Sequence, residues 1–306
     1  MSGVLWGLDT VVLGVALALA PYADGGTLGV AAIAGSFLHD AFCAGWLFFY
    51  MLPRGRLSDT LRALRTRSGL VVICGALLGG PIGMTGYALA INNIGPAYTA
   101  VISTFYPAFG ALLSFLLLGE RMRGGQLVAL FVALLGVMAM GTASAGNTPT
   151  GNAMVGLAGA MLAVVGWGSE AVLCAWGMRD DALDNETALQ IRETASALTY
   201  AVVVLPILGA WHFAANAAPS VATGVIALSG LAGAASYLFY YRAISQIGAA
   251  RAMALNVSYS AWAVVFSFLL QGSVPSVVTL VCCMVVLVGT TLAATDWDEL
   301  FGRRRA

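Results

Sequence analysis

Long apolar runs separated by short polar connections make up almost the whole chain. Runs near the roughly 20 residues needed to cross hydrocarbon fall at 2–21, 30–52, 69–91, 96–118, 124–142, 153–177, 187–209, 220–242, 249–270 and 274–294. Backbone inside a bilayer must satisfy its own hydrogen bonds, so each run predicts a helix. The pattern predicts an all-α integral membrane protein of ten transmembrane helices.

A second regularity lies across the first. Ile94-Gly95 recurs as Ile247-Gly248, a shift of 153, and the same shift pairs Tyr87 with Tyr240, Tyr106 with Tyr259, Gly119 with Gly272, Gly136 with Gly289 and Pro53 with Pro206. Chance apolar similarity does not readily match glycine, proline and tyrosine at one constant offset. Five helices per half is an odd number, so the second copy enters the membrane from the opposite side. The expected organisation is two inverted five-helix repeats, residues 1–146 and 147–306, the second ending in a short cytoplasmic tail.

Composition supports the membrane class: 60% of residues are hydrophobic and 9% charged, against about 25% charged in soluble domains. Every one of the fourteen basic residues is an arginine. With both termini inside, Arg54, Arg56, Arg62, Arg65, Arg67, Arg121, Arg123 and Arg179 fall in inner loops, Arg192, Arg242 and Arg251 at inner helix ends, and Arg303, Arg304 and Arg305 in the tail. The outer connections PYADGG after Ala20 and SAGNTPTG after Ala143 carry none, which is the asymmetry that sets orientation. The arginines form no patch and net charge is zero, so nucleic acid is not an expected partner. The five cysteines lie in apolar runs without C-x-x-C spacing and indicate neither disulfides nor a metal site. The first run has no basic segment before it and reads as a spanning helix, not a cleaved signal. No H-E-x-x-H, G-x-S-x-G or glycine-rich phosphate loop is present, so neither an enzyme nor a cofactor is expected. Both halves of a pathway lie in one chain, so no oligomer is required.

Acids and aromatics inside the apolar runs carry the candidate chemistry, because ionisable groups are costly there. The first run holds Trp6-Gly7-Leu8-Asp9 and the sixth Trp167-Gly168-Ser169-Glu170, each with an acid three residues after a tryptophan and therefore on its face of the helix. The second holds His39-Asp40, and the 153 shift lands on Arg192-Glu193. From the rise per residue, Asp40 is expected well below the outer edge and Glu170 near the midplane, with Asp9 and Glu193 nearer the inner face. Asp9 can be read as interfacial, Arg192 and Glu193 as pairing with each other or snorkelling, and His39-Asp40 as a polar pair or as a substrate or proton site. Glu170 has no cation adjacent in sequence and is the leading substrate or proton ligand. Tyr106, Tyr237, Tyr240, Tyr241, Tyr259 and Trp262 stand in the segments expected around a central cavity. Any one of them could serve packing alone. Several aromatic faces with a deep carboxylate form the combination that binds quaternary ammonium, through cation–π attraction and charge. Pro107 and Gly80-Pro81-Ile82-Gly83 are expected to break helices and free backbone carbonyls.

These residues carry a resemblance. The ten-helix repeat, the Trp-Gly in the first helix of each half and the Pro107 helix ending in Leu118-Gly119-Glu120-Arg121 resemble the drug/metabolite transporter superfamily, in its EamA-type members. More narrowly, Leu5-Trp6-Gly7-Leu8, His39-Asp40, Gly80-Pro81-Ile82-Gly83-Met84, Tyr106-Pro107, Trp167-Gly168-Ser169-Glu170, Ile191-Arg192, Ser236-Tyr237 and Leu255-Asn256-Val257-Ser258-Tyr259 with Trp262 are similar, in that order, to Lic-type bacterial choline permeases. Asp9 is an additional acid against that pattern, and Gln271-Gly272-Ser273 replaces the Gly-Glu-Arg ending in the second half. The resemblance implies import of choline or a similar small cation across the bacterial inner membrane by alternating access. Glu170, Asp40 and His39 with Trp6, Trp167, Tyr106, Tyr240, Tyr259 and Trp262 would form the substrate site. Protons are a second candidate partner, through His39, Asp40, Glu170 and Asp9. The alternative within the superfamily is export of amino acids or other amphipathic metabolites; a more distant one is an intramembrane enzyme or receptor.

Overall fold

The computed structural model describes residues 1–23, 28–143, 151–179 and 183–297, and all regular structure among them is helical. The arginines at 303–305 and most of the connection after Ala143 lie outside the described residues. The first half runs through α1 (Ser2–Leu17), α2 (Leu28–Met51), the short α3 (Leu57–Ala63), α4 (Arg67–Leu77), α5 (Gly83–Ser103), α6 (Tyr106–Leu118) and α7 (Gly124–Ala143). The second runs through α8 (Ala153–Gly177), α9 (Asn185–Thr199), the short α10 (Leu205–Ile207) and α11 (Trp211–Ala217), then α12 (Val221–Ile247), α13 (Ala249–Asn256), α14 (Tyr259–Gln271) and α15 (Val277–Ala294). Among the described residues, eight helical stretches are long and apolar enough to cross a membrane. Outward-facing Val277, Val278, Val281, Met284 and Val288 on α15 show why: this surface is covered by branched hydrocarbon where a soluble protein would be polar.

Helix covers most of each apolar run, but those at 2–21 and 187–209 are not among the eight long and apolar enough to span, and the ends of the runs differ from expectation for local reasons. α1 stops at Leu17, short of 21, because the residue before Pro21 is disfavoured in helical conformation. The run 96–118 is divided: α5 passes through a break at Gly95 and ends at Ser103, and α6 starts at Tyr106 with Pro107 in its first turn, where a missing N–H has no helical partner to lose. Between α4 and α5 the segment Leu78–Ile82 forms a π-turn around Pro81, and a second π-turn, Tyr200–Val204, links α9 to α10.

The offset of 153 appears in the backbone as well. Gly95 has φ 80° and ψ 162°, and Gly248 has φ 85° and ψ 158°. Gly119 (φ 70°, ψ 13°) closes α6, and Gly272 (φ 68°, ψ 15°) closes α14. Cross-packing follows the same rule: α1 lies against α12 and α14, and α8 lies against α5 and α6. Gly86 and Gly159 let α5 and α8 approach, since a Cβ on either would press on the other's carbonyl oxygen. Small residues at close helix crossings are the membrane substitute for hydrophobic association.

Two carboxylates cap helices where the halves meet. Glu120 accepts from the amides of Ala249 and Ala250 at 3.1 and 3.0 Å, holding the end of α6 to the start of α13. Asp184 accepts from Glu186 and Thr187 at 3.0 and 3.1 Å, capping α9. Arg56, just before α3, meets Asp184 at 2.6 Å and Glu186 at 3.0 Å.

Candidate functional site

Arg192 organises the interior. It is 4% exposed, on the part of α9 that faces α2, α4 and α12. Its Nε donates to Glu170 Oε1 at 2.5 Å and its Nη2 to Glu170 Oε2 at 3.4 Å. Nη1 donates to Glu193 Oε2 at 2.9 Å and lies 3.8 Å from Asp40 Oδ1, while Nη2 also reaches the Tyr237 hydroxyl at 3.3 Å. Asp40 Oδ2 accepts from Ser196 at 2.5 Å, and its Oδ1 is 3.5 Å from His39 Nδ1. The other ring nitrogen of His39 is 3.0 Å from Asp9 Oδ1, and Asp9 accepts in turn from Ser229. A ring protonated at both nitrogens can donate to both acids; a neutral ring can donate to one.

The chain thus gathers Asp9, His39, Asp40, Glu170, Arg192 and Glu193 into one buried network. Four carboxyl groups face one guanidinium and one imidazole, so acids outnumber bases in the cluster. Burying charge is tolerable only when it is paired and hydrogen-bonded, and the serines and Tyr237 complete that pairing. Three expectations change. Asp9 is buried at mid-helix and not interfacial, because α1 ends at Leu17 and leaves Asp9 near its centre. Arg192 does not snorkel, and it pairs with Glu170 as well as with Glu193. Glu170, without a cation adjacent in sequence, has one in space.

Close approach of the π-turn to α8 and α9 depends on its glycines. A Cβ on Gly79 would overlap the Glu170 carboxylate, and one on Gly80 would overlap the Ser196 hydroxyl. The Gly80 carbonyl also accepts from the Tyr200 hydroxyl at 3.3 Å.

Aromatic rings flank this network in two groups, each spanning the halves. Trp6 meets Tyr237 at 4.6 Å and Tyr259 at 6.0 Å between centroids. Trp167 meets Tyr106 at 5.9 Å and Tyr87 at 5.2 Å. Each half's tryptophan therefore faces the other half's copy of one tyrosine, since Tyr106 and Tyr259 are 153 apart. Tyr237 joins rings to charges, with the Arg192 guanidinium 4.8 Å from its ring centroid. Tyr240 packs on Tyr241 at 6.3 Å. Trp262 lies over Gly7, where an added Cβ would clash, and makes no ring contact among the described residues.

Sequence reasoning missed Ser196, Ser229 and Tyr87 as members of the site. Ser196 could have been found, one turn beyond Arg192 on the same face. Ser229 lies in a stretch of small residues with nothing to mark it.

A family model for the EamA-like transporter family matches residues 1–142 and 154–295. Protein LicB of Haemophilus influenzae is 30% identical over 219 residues, covering 70% of this chain and 71% of that protein. A crystal structure that is 21% identical superposes with a TM-score of 0.67 over 99% of each chain, a likeness of fold.

Proposed function

We propose that this chain, which belongs to the EamA-like transporter family, imports choline or a related quaternary amine by alternating access between two inverted five-helix repeats. The observation that carries the reading is a buried cluster in which acids outnumber bases, flanked by aromatic faces from both halves. A quaternary ammonium has no N–H to donate and is held by charge and ring faces; Glu170 supplies the first and Trp6, Trp167, Tyr106, Tyr240, Tyr259 and Trp262 the second. Recurrence of the Gly95 and Gly119 backbone at Gly248 and Gly272, with reciprocal packing of α1 and α8, supports the repeats 1–146 and 147–306. In this reading the ten helices rock about the network as a shared pivot, in a bacterial inner membrane with both termini cytoplasmic. A fixed positive charge moving inward gains about 2.3 kcal/mol per 100 mV, which is sufficient to drive uptake.

Export of a zwitterion would need a partner for its carboxylate. Arg192 is the cation placed to serve, and it is already engaged by Glu170 and Glu193. Calorimetry on the detergent-solubilised protein with choline and a panel of amino acids separates the two. Saturable choline binding, lost in Glu170→Gln, supports import; stabilisation by an amino acid with no response to choline sinks it. Proton coupling through His39, Asp40, Glu170 or Asp9 is tested by choline uptake into proteoliposomes under clamped potential. A rate that does not vary with pH removes it.

A further inference from the structure

The Glu170 carboxylate already has a cation in the observed state. Both of its oxygens accept from Arg192, at 2.5 and 3.4 Å, so an incoming cation meets a charge that is paired. Glu193, by contrast, is half used. Its Oε2 accepts from Arg192 Nη1 at 2.9 Å, while its Oε1 is buried and has no hydrogen-bond partner among the described residues, on a side chain with no exposure at all. An unsatisfied buried acceptor costs on the order of 1–3 kcal/mol, more when charged, and a guanidinium fork is shaped to fill both oxygens of one carboxylate.

We infer that Arg192 is the internal stand-in for the substrate's positive charge, and that a cation arriving at Glu170 transfers it to Glu193. The inference rests on the cation-importer reading and adds the residue that receives the displaced charge. In the empty state Arg192 bridges Glu170 and Glu193. In the loaded state it closes on both oxygens of Glu193, with Asp40 Oδ1, now 3.8 Å away, beside it. Arg192 keeps a carboxylate partner in both states, and the arriving cation replaces it at Glu170, which matters because a buried charge stripped of its partner is strongly destabilising. Glu193 therefore sets choline affinity without touching choline. The exchange also favours ligands that carry a positive charge over neutral ones of the same shape, because a neutral ligand cannot replace what Arg192 takes away from Glu170.

Choline titrated into the wild-type chain and four variants, Glu193→Gln, Glu193→Asp, Arg192→Gln and the Arg192→Gln/Glu193→Gln double, tests this. Glu193→Gln removes the receiving charge and is expected to weaken choline binding at least about tenfold, with Glu193→Asp restoring part of the loss. In an Arg192→Gln background nothing remains to be handed over, so Glu193→Gln should have no further effect, a non-additivity that a merely structural glutamate would not produce. Choline binding unchanged in Glu193→Gln overturns the inference and leaves the importer reading standing. Failure of the wild type to bind choline or tetramethylammonium removes both. If the variants do not fold, a structure of the wild type with choline decides: Arg192 withdrawn beyond about 4 Å from Glu170 and seated on both Glu193 oxygens bears it out, and a persisting Arg192–Glu170 pair beside bound choline overturns it.

Discussion

Glu170 and Arg192 stand 22 residues apart on different helices, and only the tertiary fold joins them. Each stood out in the sequence as an ionisable residue in an apolar run. Their pairing was not legible, because a 22-residue separation carries no helical phase. The same holds for Asp9 and His39, 30 residues apart and 3.0 Å in contact. The glycines are similar: Gly79 read as part of a helix-breaking string, and the structure adds what breaking the helix is for. Gly79→Ala is expected to push on the Glu170 carboxylate and weaken choline binding, on the roughly 1–3 kcal/mol scale of overpacking. Gly14→Ala, where nothing lies within 4 Å of the added methyl, should bind as the wild type does. Equal affinity in both variants, read by calorimetry, would separate the π-turn from the site.

Helix existence followed from hydropathy, and helix ends followed from particular residues: Pro21 before the end of a run, Pro107 inside the first turn of α6, and the two glycines that open α13 and the end of α5. The backbone at Gly95 and Gly248 lies in a region almost closed to residues with a Cβ. Gly248→Ala is expected to destabilise by about 1–3 kcal/mol, seen as a lower melting temperature in detergent. An unchanged melting temperature would mean that the break relaxes without strain. The α9 cap makes a pH prediction. Burial pushes Asp184 up, but hydrogen bonds from Thr187 and Glu186 and the nearby Arg56 guanidinium outweigh it, so its carboxyl is held below the usual range. A carboxylate depressed in the folded state stabilises above its unfolded value and loses that contribution as pH falls through the folded one. Asp184→Asn, which keeps the capping oxygen, should therefore melt lower than wild type at pH 7. The gap should be small for so exposed a pair, under about 1 kcal/mol, and should narrow below about pH 4. A gap constant with pH would place the effect elsewhere.

At the scale of the molecule, an offset of 153 was legible because glycine, proline and tyrosine kept it, and the packing of the two halves was not. A shift of 153 does not say that α1 packs among second-half helices, yet it does. Orientation remains a prediction of the arginine asymmetry. In a cysteine-free variant, Ala218→Cys should react with an impermeant maleimide from outside intact cells and Arg62→Cys only after permeabilisation. The reverse pattern would invert the topology. Reciprocal packing also has a consequence in time. α1 leaves the ribosome well before α12, carrying Asp9, and the Ser229 that binds Asp9 follows 220 residues later. At about 5–20 residues per second, that carboxyl resides in or beside the bilayer for about ten to forty seconds before its last partner exists. Until the other half arrives, His39 on α2, 30 residues later, is the contact available to that carboxyl within its own half.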